Sequence, residues 1–185
     1  MSISYQSWIK NLRTQIGSAT YPDLAVRWQP DSLNVPEAIG FVATTHIAGL
    51  TELKFLQRTM LHALSVQNQT ELVSVDLPYF ERASGNLLVK TNAALANLNA
   101  PDISLPLYGT SLTGASLDFS GNALTATSVD NLFNRLALSL STGRAYYTKV
   151  DTSGGTSAAP TAASSLARSS LFLGATAYHI TLATN

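Results

Sequence analysis

Hydrophobic residues recur at helical spacing in two stretches of the first hundred residues. Tyr5, Trp8, Ile9, Leu12 and Ile16 form one apolar stripe, and Gly17 supplies a stop. The pattern predicts a helix that packs on the core of its own chain. An alternative is an arm that docks on a neighbouring subunit, with Trp8 and Leu12 as its interaction residues.

The region that follows predicts short elements of both kinds. A strand is expected at Leu24 to Trp28, and a second helix from Thr51, with the stripe Leu53, Leu56, Met60 and Leu64. Further strands are expected at 72–77 and 86–90, and a short helix at 91–98. We therefore predict a mixed α+β region at 1–100, serving assembly or capping, with a domain boundary near Ala100.

The remaining residues, 101–185, contain an internal repeat with a period of about thirty residues. Ser116 to Asn122 is restated by Lys149 to Thr156, and a third strand is expected at Tyr178 to Leu182. The alternation points Leu117 and Phe119 to one side and Asp118 to the other, and Asn122 suits a bend. A helix follows, with Ser128 as its expected cap. The predicted repeat core is Leu117, Phe119, Asn122, Leu124, Val129, Leu132 and Val150, with Leu117 and Val150 as inward partners on successive levels.

The first unit resembles a leucine-rich repeat. Its segment 117–124 is similar to the family's Leu-x-Leu-x-x-Asn-x-Leu core, whereas the second unit keeps the spacing and lacks the Asn. The resemblance implies an α/β fold that ends in a short strand-helix solenoid. The run from Leu117 to Thr161 is also similar to C-terminal segments of bacteriophage and prophage structural proteins. This implies a virion protein (tail, fibre, head-decoration or connector region), assembled in the host cytoplasm, whose partners are other virion proteins and copies of itself.

Composition fits such a subunit. Charged residues make up only 12% of the chain, so its surface is easy to desolvate against a neighbour. Eleven basic residues balance eleven acidic ones without a basic run, so no nucleic-acid partner is expected. No apolar stretch approaches the roughly eighteen residues that span a bilayer, so no membrane partner is expected. Residues 1–16 lack the apolar core of a signal peptide.

Residues that could carry chemistry are few. The chain has no Cys, and its three histidines lack metal-ligand spacing. Ser111 lies in a segment that departs from a nucleophile elbow. Asp118 and Asp151 occupy equivalent positions on adjacent units, where a glycan hydrolase would need two converging carboxylates, but a solvated row is favoured. We therefore predict a protein that is not an enzyme and has no catalytic residue, metal site or cofactor.

Two further interpretations stay open. A receptor- or carbohydrate-binding module of a phage tail could use Tyr146, Tyr147 and Tyr178 as stacking platforms, although these tyrosines also suit half-buried strand positions. A particle-associated glycan hydrolase is the third hypothesis. The last strand, with Tyr178 and Ile180, would be an exposed edge and so a candidate site of assembly.

Overall fold

The computed structural model describes residues 27–30, 36–44, 46–55, 59–60, 64–83, 86–105, 116–140, 148–178 and 180–185. In this part the chain is a mixed α/β protein with parallel sheets and two helices. The helix predicted at Tyr5 to Ile16 lies outside the described residues.

Among the described residues, ten strands come first, and the two helices then separate the last three strands. The strands are β1 Arg27–Pro30, β2 Pro36–Ala43, β3 Glu52–Lys54, β4 Thr59–Met60, β5 Leu64–Gln67, β6 Ser74–Asp76, β7 Arg82–Ala83, β8 Leu87–Lys90, β9 Asn97–Asn99, β10 Ser116–Asp118, β11 Thr148–Asp151 and β12 Ile180–Ala183. The helices are α1 Ala126–Leu138 and α2 Ser165–Tyr178, the latter preceded by a 3₁₀ turn at Ala162–Ser164.

Parallel strands follow one another in chain order along the larger sheet, here called the long sheet. The neighbours β2, β5, β8, β10, β11 and β12 are all parallel. Ala38 of β2 pairs with Trp28 of the antiparallel β1 and also with Met60 of β4. Because a strand has two edges, β1 and β4 lie on opposite edges of β2. β1 therefore covers the edge that faces away from the rest of the long sheet. A second sheet of β3, β6 and β9 is also parallel.

The core lies between these layers. Leu64, Leu87, Leu117 and Val150 align across the long sheet, and none of these side chains is more than 4% exposed. In the three-stranded sheet Leu53, Val75 and Leu98 align in the same way and are buried. The predicted pairing of Leu117 with Val150 is confirmed. Stacked rows of aliphatic side chains bury apolar surface from one strand to the next.

Two predicted helices are wrong. The stretch from Thr51 forms β3, β4 and β5, because Leu53 is buried between the exposed Glu52 and Lys54, which is the period of a strand. Parallel pairing with β6, β2 and β8 outweighs a local spacing that suits a helix. The predicted helix at 91–98 is instead a turn that leads into β9, since Thr91 has φ of 55°, outside the helical range.

Other predicted elements are confirmed. Strands lie within 72–77 and 86–90, β10 and β11 lie at the two repeat segments, and α1 contains the predicted apolar helix. The helix cap, however, is Thr125, whose hydroxyl accepts a hydrogen bond from the Ser128 N–H. Tyr178 ends α2, and β12 starts at Ile180, so the third strand is shorter than predicted.

The long sheet continues across residue 100. Leu87 of β8 pairs with Leu117 of β10, and the Ala123 and Thr125 N–H groups donate to Leu95 and Ala96. We expected repeated strands only in 101–185, but the same parallel register already joins β2, β5 and β8. The predicted boundary near Ala100 therefore falls within one hydrogen-bonded sheet.

Candidate functional site

A row of buried amide side chains fixes the bends that follow the strands of the long sheet. The Asn92 Oδ1 accepts from the Gln69 N–H at 3.0 Å, and the Asn122 Oδ1 accepts from the Asn92 N–H at 3.0 Å. The Asn122 amide nitrogen donates to the Val89 and Phe119 carbonyls at 2.6 and 2.7 Å. The Asn122 side chain thus satisfies backbone groups of its own bend and of the preceding one, and Asn92 satisfies groups of the bend before it, which locks the spacing of the strands.

The next equivalent position is Gly155, where the row of amides ends. A Cβ atom there would lie 2.3 Å from the Asn122 carbonyl oxygen and 2.7 Å from the Gly121 carbonyl carbon. The backbone itself fills the space that a side chain takes in the earlier bends. The Thr156 N–H donates to the same Asn122 oxygen at 2.9 Å, so direct backbone contact replaces the amide bridge.

Two aspartates lie side by side on the outer face of the long sheet, where Asp118 and Asp151 are in register. Each closes the same small turn. The Asp118 Oδ1 accepts from the Ser120 N–H at 3.0 Å and hydroxyl at 2.6 Å, and the Asp151 Oδ1 accepts from Ser153 at 2.9 and 2.6 Å. These bonds fix one oxygen of each carboxylate and leave the other for a cation.

A lysine occupies that second oxygen in both cases. Lys90 Nζ lies 2.9 Å from the Asp118 Oδ2, and Lys149 Nζ lies 2.6 Å from the Asp151 Oδ2. The aspartates are 17% and 12% exposed, whereas the lysines are 31% and 52% exposed. We call these four residues the charged row: two adjacent anions flanked by two cations. The two lysines are accessible to solvent, and the two carboxylates between them are held by hydrogen bonds.

Both carboxyls of the charged row are ionised at neutral pH. Burial raises the pKa of Asp118, but the hydrogen bonds from Ser120 and Lys90 outweigh burial, and the pKa lies below the ordinary 3.8. Burial also raises the pKa of Asp151, but the hydrogen bonds from Lys149 and Ser153 outweigh burial and lower this pKa. In return, the Asp151 carboxylate raises the pKa of Lys149. A general acid needs a raised carboxyl pKa, so this arrangement suits recognition better than proton donation.

A third aspartate joins α1 to the 3₁₀ turn that precedes α2. Asp130 of α1 is 6% exposed and accepts from the Thr161 N–H at 2.9 Å, the Thr161 hydroxyl at 2.5 Å and the Ser164 hydroxyl at 2.5 Å. Arg168 of α2 donates to Ser164 and to the Thr161 carbonyl. Burial raises the pKa of Asp130, but these hydroxyl and backbone donors lower it further than burial raises it.

This network predicts a loss of stability in acid. Because the folded pKa of Asp130 lies below its ordinary 3.8, its contribution is complete above that pH and is lost as the pH falls through the folded value. Asp130→Asn should lower the free energy of unfolding at pH 7 by about 2–4 kcal/mol. It should also make this free energy less dependent on pH below about pH 4. Denaturant titrations across this range measure both effects. Asp102→Asn, at an exposed site, is the control, and an equally flat profile for this control would contradict the assignment.

The predicted site residues fall into two groups. The seven repeat-core residues lie inside the fold, none more than 4% exposed: Leu117, Phe119, Asn122, Leu124, Val129, Leu132 and Val150. Of the interaction residues, Trp8, Leu12, Tyr146 and Tyr147 lie outside the described residues, and so does Ser111. Tyr178 ends α2, and Ile180 is 3% exposed and packs in the core.

Other candidate chemistry is sparse in the described part of the chain. His46 lies 3.8 Å from Glu71 on the surface, and His62 and His179 are outside the described residues. Among described residues no three His, Asp or Glu side chains gather as metal ligands. No helix there is long and apolar enough to cross a membrane.

Sequence reasoning missed the upstream half of the amide row and the Asp130 network. The sequence does carry a signal for the amide row, namely the pairs Asn68-Gln69, Thr91-Asn92 and Gly121-Asn122. In each pair the amide residue follows a residue whose φ is positive in the structure. The separations are 23 and 30 residues, and the change of spacing hides the repeat. Asp130 had no such signal, because its partners lie 31 and 34 residues away.

Comparisons with models of protein families, with curated proteins and with solved structures found no match for this chain. Its function is therefore inferred from the two sheets and from the side chains that they present.

Proposed function

We propose that the chain is a short leucine-rich-repeat-like solenoid and that it serves as a structural protein of a bacteriophage particle, acting by binding other proteins. The parallel strands in chain order and the buried amides at three successive bends support the solenoid. The strand-to-strand register extends from β2 to β12, which enlarges the proposed repeat region beyond 101–185.

The charged row is the observation that favours protein binding. Its carboxylates are held in place by Ser120 and Ser153, so little side-chain freedom is lost when a partner docks. The lysines extend from the same face and remain accessible. Thr181 of β12 lies next to Lys149 in the register and is exposed, so the face continues toward the last strand. A fixed surface with both signs of charge gives specificity to an interface.

The lowered pKa values of Asp118 and Asp151 favour a non-catalytic role over glycan hydrolysis. An acid–base pair requires one carboxyl to hold its proton near neutral pH. Here both carboxyls accept hydrogen bonds that stabilise the charged form.

The particle assignment has a direct test. Mass spectrometry of purified particles, produced from the genome that encodes this chain, should find it in stoichiometric amounts with the other structural proteins. Its absence from intact particles would refute the virion role and would leave the solenoid proposal standing.

The binding face has a separate test with matched variants. Thr181→Arg places a bulky cation beside Lys149, and we expect it to weaken binding to particle proteins or to a second copy by at least about 10-fold, equivalent to 1.4 kcal/mol. Asn97→Arg makes the same change of charge at an exposed position of the three-stranded sheet and should leave binding unchanged. Light scattering and surface-immobilised binding assays measure both. Equal losses in the two variants would argue against the long sheet as the interface.

A further inference from the structure

A groove lies between β9, the last strand of the three-stranded sheet, and α1, which packs beside it. Adjacent strands lie about 4.8 Å apart, whereas a helix with its side chains is about 10–12 Å wide. The helix therefore cannot approach β9 as closely as another strand would. The resulting cavity of about 190 Å³, here called the β9–α1 groove, is lined by Asn99, Ala100, Pro101, Asn131, Leu132 and Arg135 among others.

Arg135 brings to this groove a positive charge that has no direct ion-pair partner among the described residues. Within the described part of the chain, Lys54, Lys90 and Lys149 each pair with an aspartate, and Arg168 donates to oxygen atoms of the 3₁₀ turn. Arg135 has no hydrogen bond or ion pair with any described residue. It is exposed and lies one helical turn after Asn131, so both side chains border the same groove.

A backbone donor points into the same space. The Asn99 carbonyl accepts from the Leu77 N–H at 2.8 Å, on the β6 side of β9. In a trans peptide the N–H points opposite to the carbonyl, so the Ala100 N–H faces away from β6, toward α1. The Leu98 N–H points the same way and donates to the Ser128 hydroxyl at 3.2 Å. The Ala100 N–H has no acceptor among the described residues.

We propose that the β9–α1 groove binds a monocarboxylate through the Arg135 guanidinium and the Ala100 N–H. A planar guanidinium matches the two oxygens of a carboxylate, and the half-buried Ala100 and Pro101 offer apolar surface to its carbon atoms. Glu81 and Asp102 line an adjoining cavity of about 400 Å³ that Arg135 also borders. Their negative charge repels a dianion such as phosphate more strongly than a monoanion, which favours a monocarboxylate. The site is separate from the charged row and does not rest on the proposed function.

The carboxylate has two sources, a free organic acid or an acidic side chain of a partner protein. Titrating the ¹⁵N-labelled chain with propionate and with a blocked glutamate residue separates them, at constant ionic strength. We expect a saturable shift of the Ala100 amide resonance in at least one titration, and the tighter ligand identifies the source. No saturable shift with either ligand, or an equal shift with sodium chloride or inorganic phosphate, would overturn the proposal.

Variants then test whether Arg135 is the cation that binds the carboxylate. Arg135→Gln should weaken carboxylate binding by at least 10-fold, since it removes the charge-assisted pair. Arg135→Lys should retain part of the affinity, because it keeps the charge without the planar fork. Lys54→Gln removes one positive charge from the exposed side of the same three-stranded sheet and should leave binding unchanged. Unaltered binding by Arg135→Gln, with other amide resonances in place, would also overturn the proposal.

Discussion

Replacing Asn122 by alanine is expected to lower the free energy of unfolding by about 3–6 kcal/mol, because three buried backbone groups lose their partner at about 1–3 kcal/mol each. These groups are the Val89 and Phe119 carbonyls and the Asn92 N–H. The Asn122 side chain is fully buried, so water cannot replace it without opening the bend. Urea or guanidinium titrations give the change directly.

Two further variants sharpen this result. Asn97→Ala, at an exposed position of β9, should change stability by no more than about 0.5 kcal/mol. Asn122→Asp keeps the size of the side chain but turns a carboxylate toward two carbonyl oxygens. That contact should raise the folded pKa of the new carboxyl, so the variant should recover stability as the pH falls. A loss below 1 kcal/mol for Asn122→Ala would show that the amide row does not hold the strands.

Replacing Gly155 by alanine is expected to cost about 2–5 kcal/mol. Its φ of 62° is left-handed, which costs an alanine about 1–2 kcal/mol. The added Cβ would also meet backbone atoms of Asn122 and Gly121 within 3 Å, and such overpacking costs about 1–3 kcal/mol. Backbone atoms cannot swing aside as a side chain does, so the bend itself must shift.

The neighbouring glycine is the matched control. Gly154 has φ of 74°, but a Cβ there would find its nearest atom at 3.6 Å, an ordinary contact. Gly154→Ala should therefore cost only the conformational part, about 1–2 kcal/mol. Thermal and chemical denaturation of the two variants side by side measure the difference. Equal losses would mean that the close approach at Gly155 is relieved by adjustment of the backbone.

The local patterns of the C-terminal part were sufficient to predict β10, β11 and α1. Alternation at Leu117 to Phe119 and helical spacing at Val129 to Leu136 describe residues whose neighbours in space are close in sequence. The equivalence of Asp118 and Asp151 also followed from the repeat, and the two residues are in register. What the pattern lacked was the lysine beside Asp118, because Lys90 belongs to a preceding strand.

The errors share a physical cause. The stretch from Thr51 has a helical spacing, yet Leu53 pairs with Val75 and Leu64 with Leu87, contacts more than twenty residues away. Hydrogen bonds and burial gained from such partners exceed the few tenths of a kcal/mol per residue that separate helix from strand propensity. No window of local sequence contains that information.

The sequence by itself determined the core residues of the first repeat unit from Leu117 to Leu132, the bend at Asn122 and the low content of charged residues. The tertiary structure alone decided that β2, β5 and β8 join the same parallel sheet as β10, that Asp130 ties α1 to the 3₁₀ turn before α2, and that Arg135 borders a groove. These features depend on atoms brought together from distant parts of the chain. Local periodicity reports which side of an element is apolar, and only packing determines what that side meets.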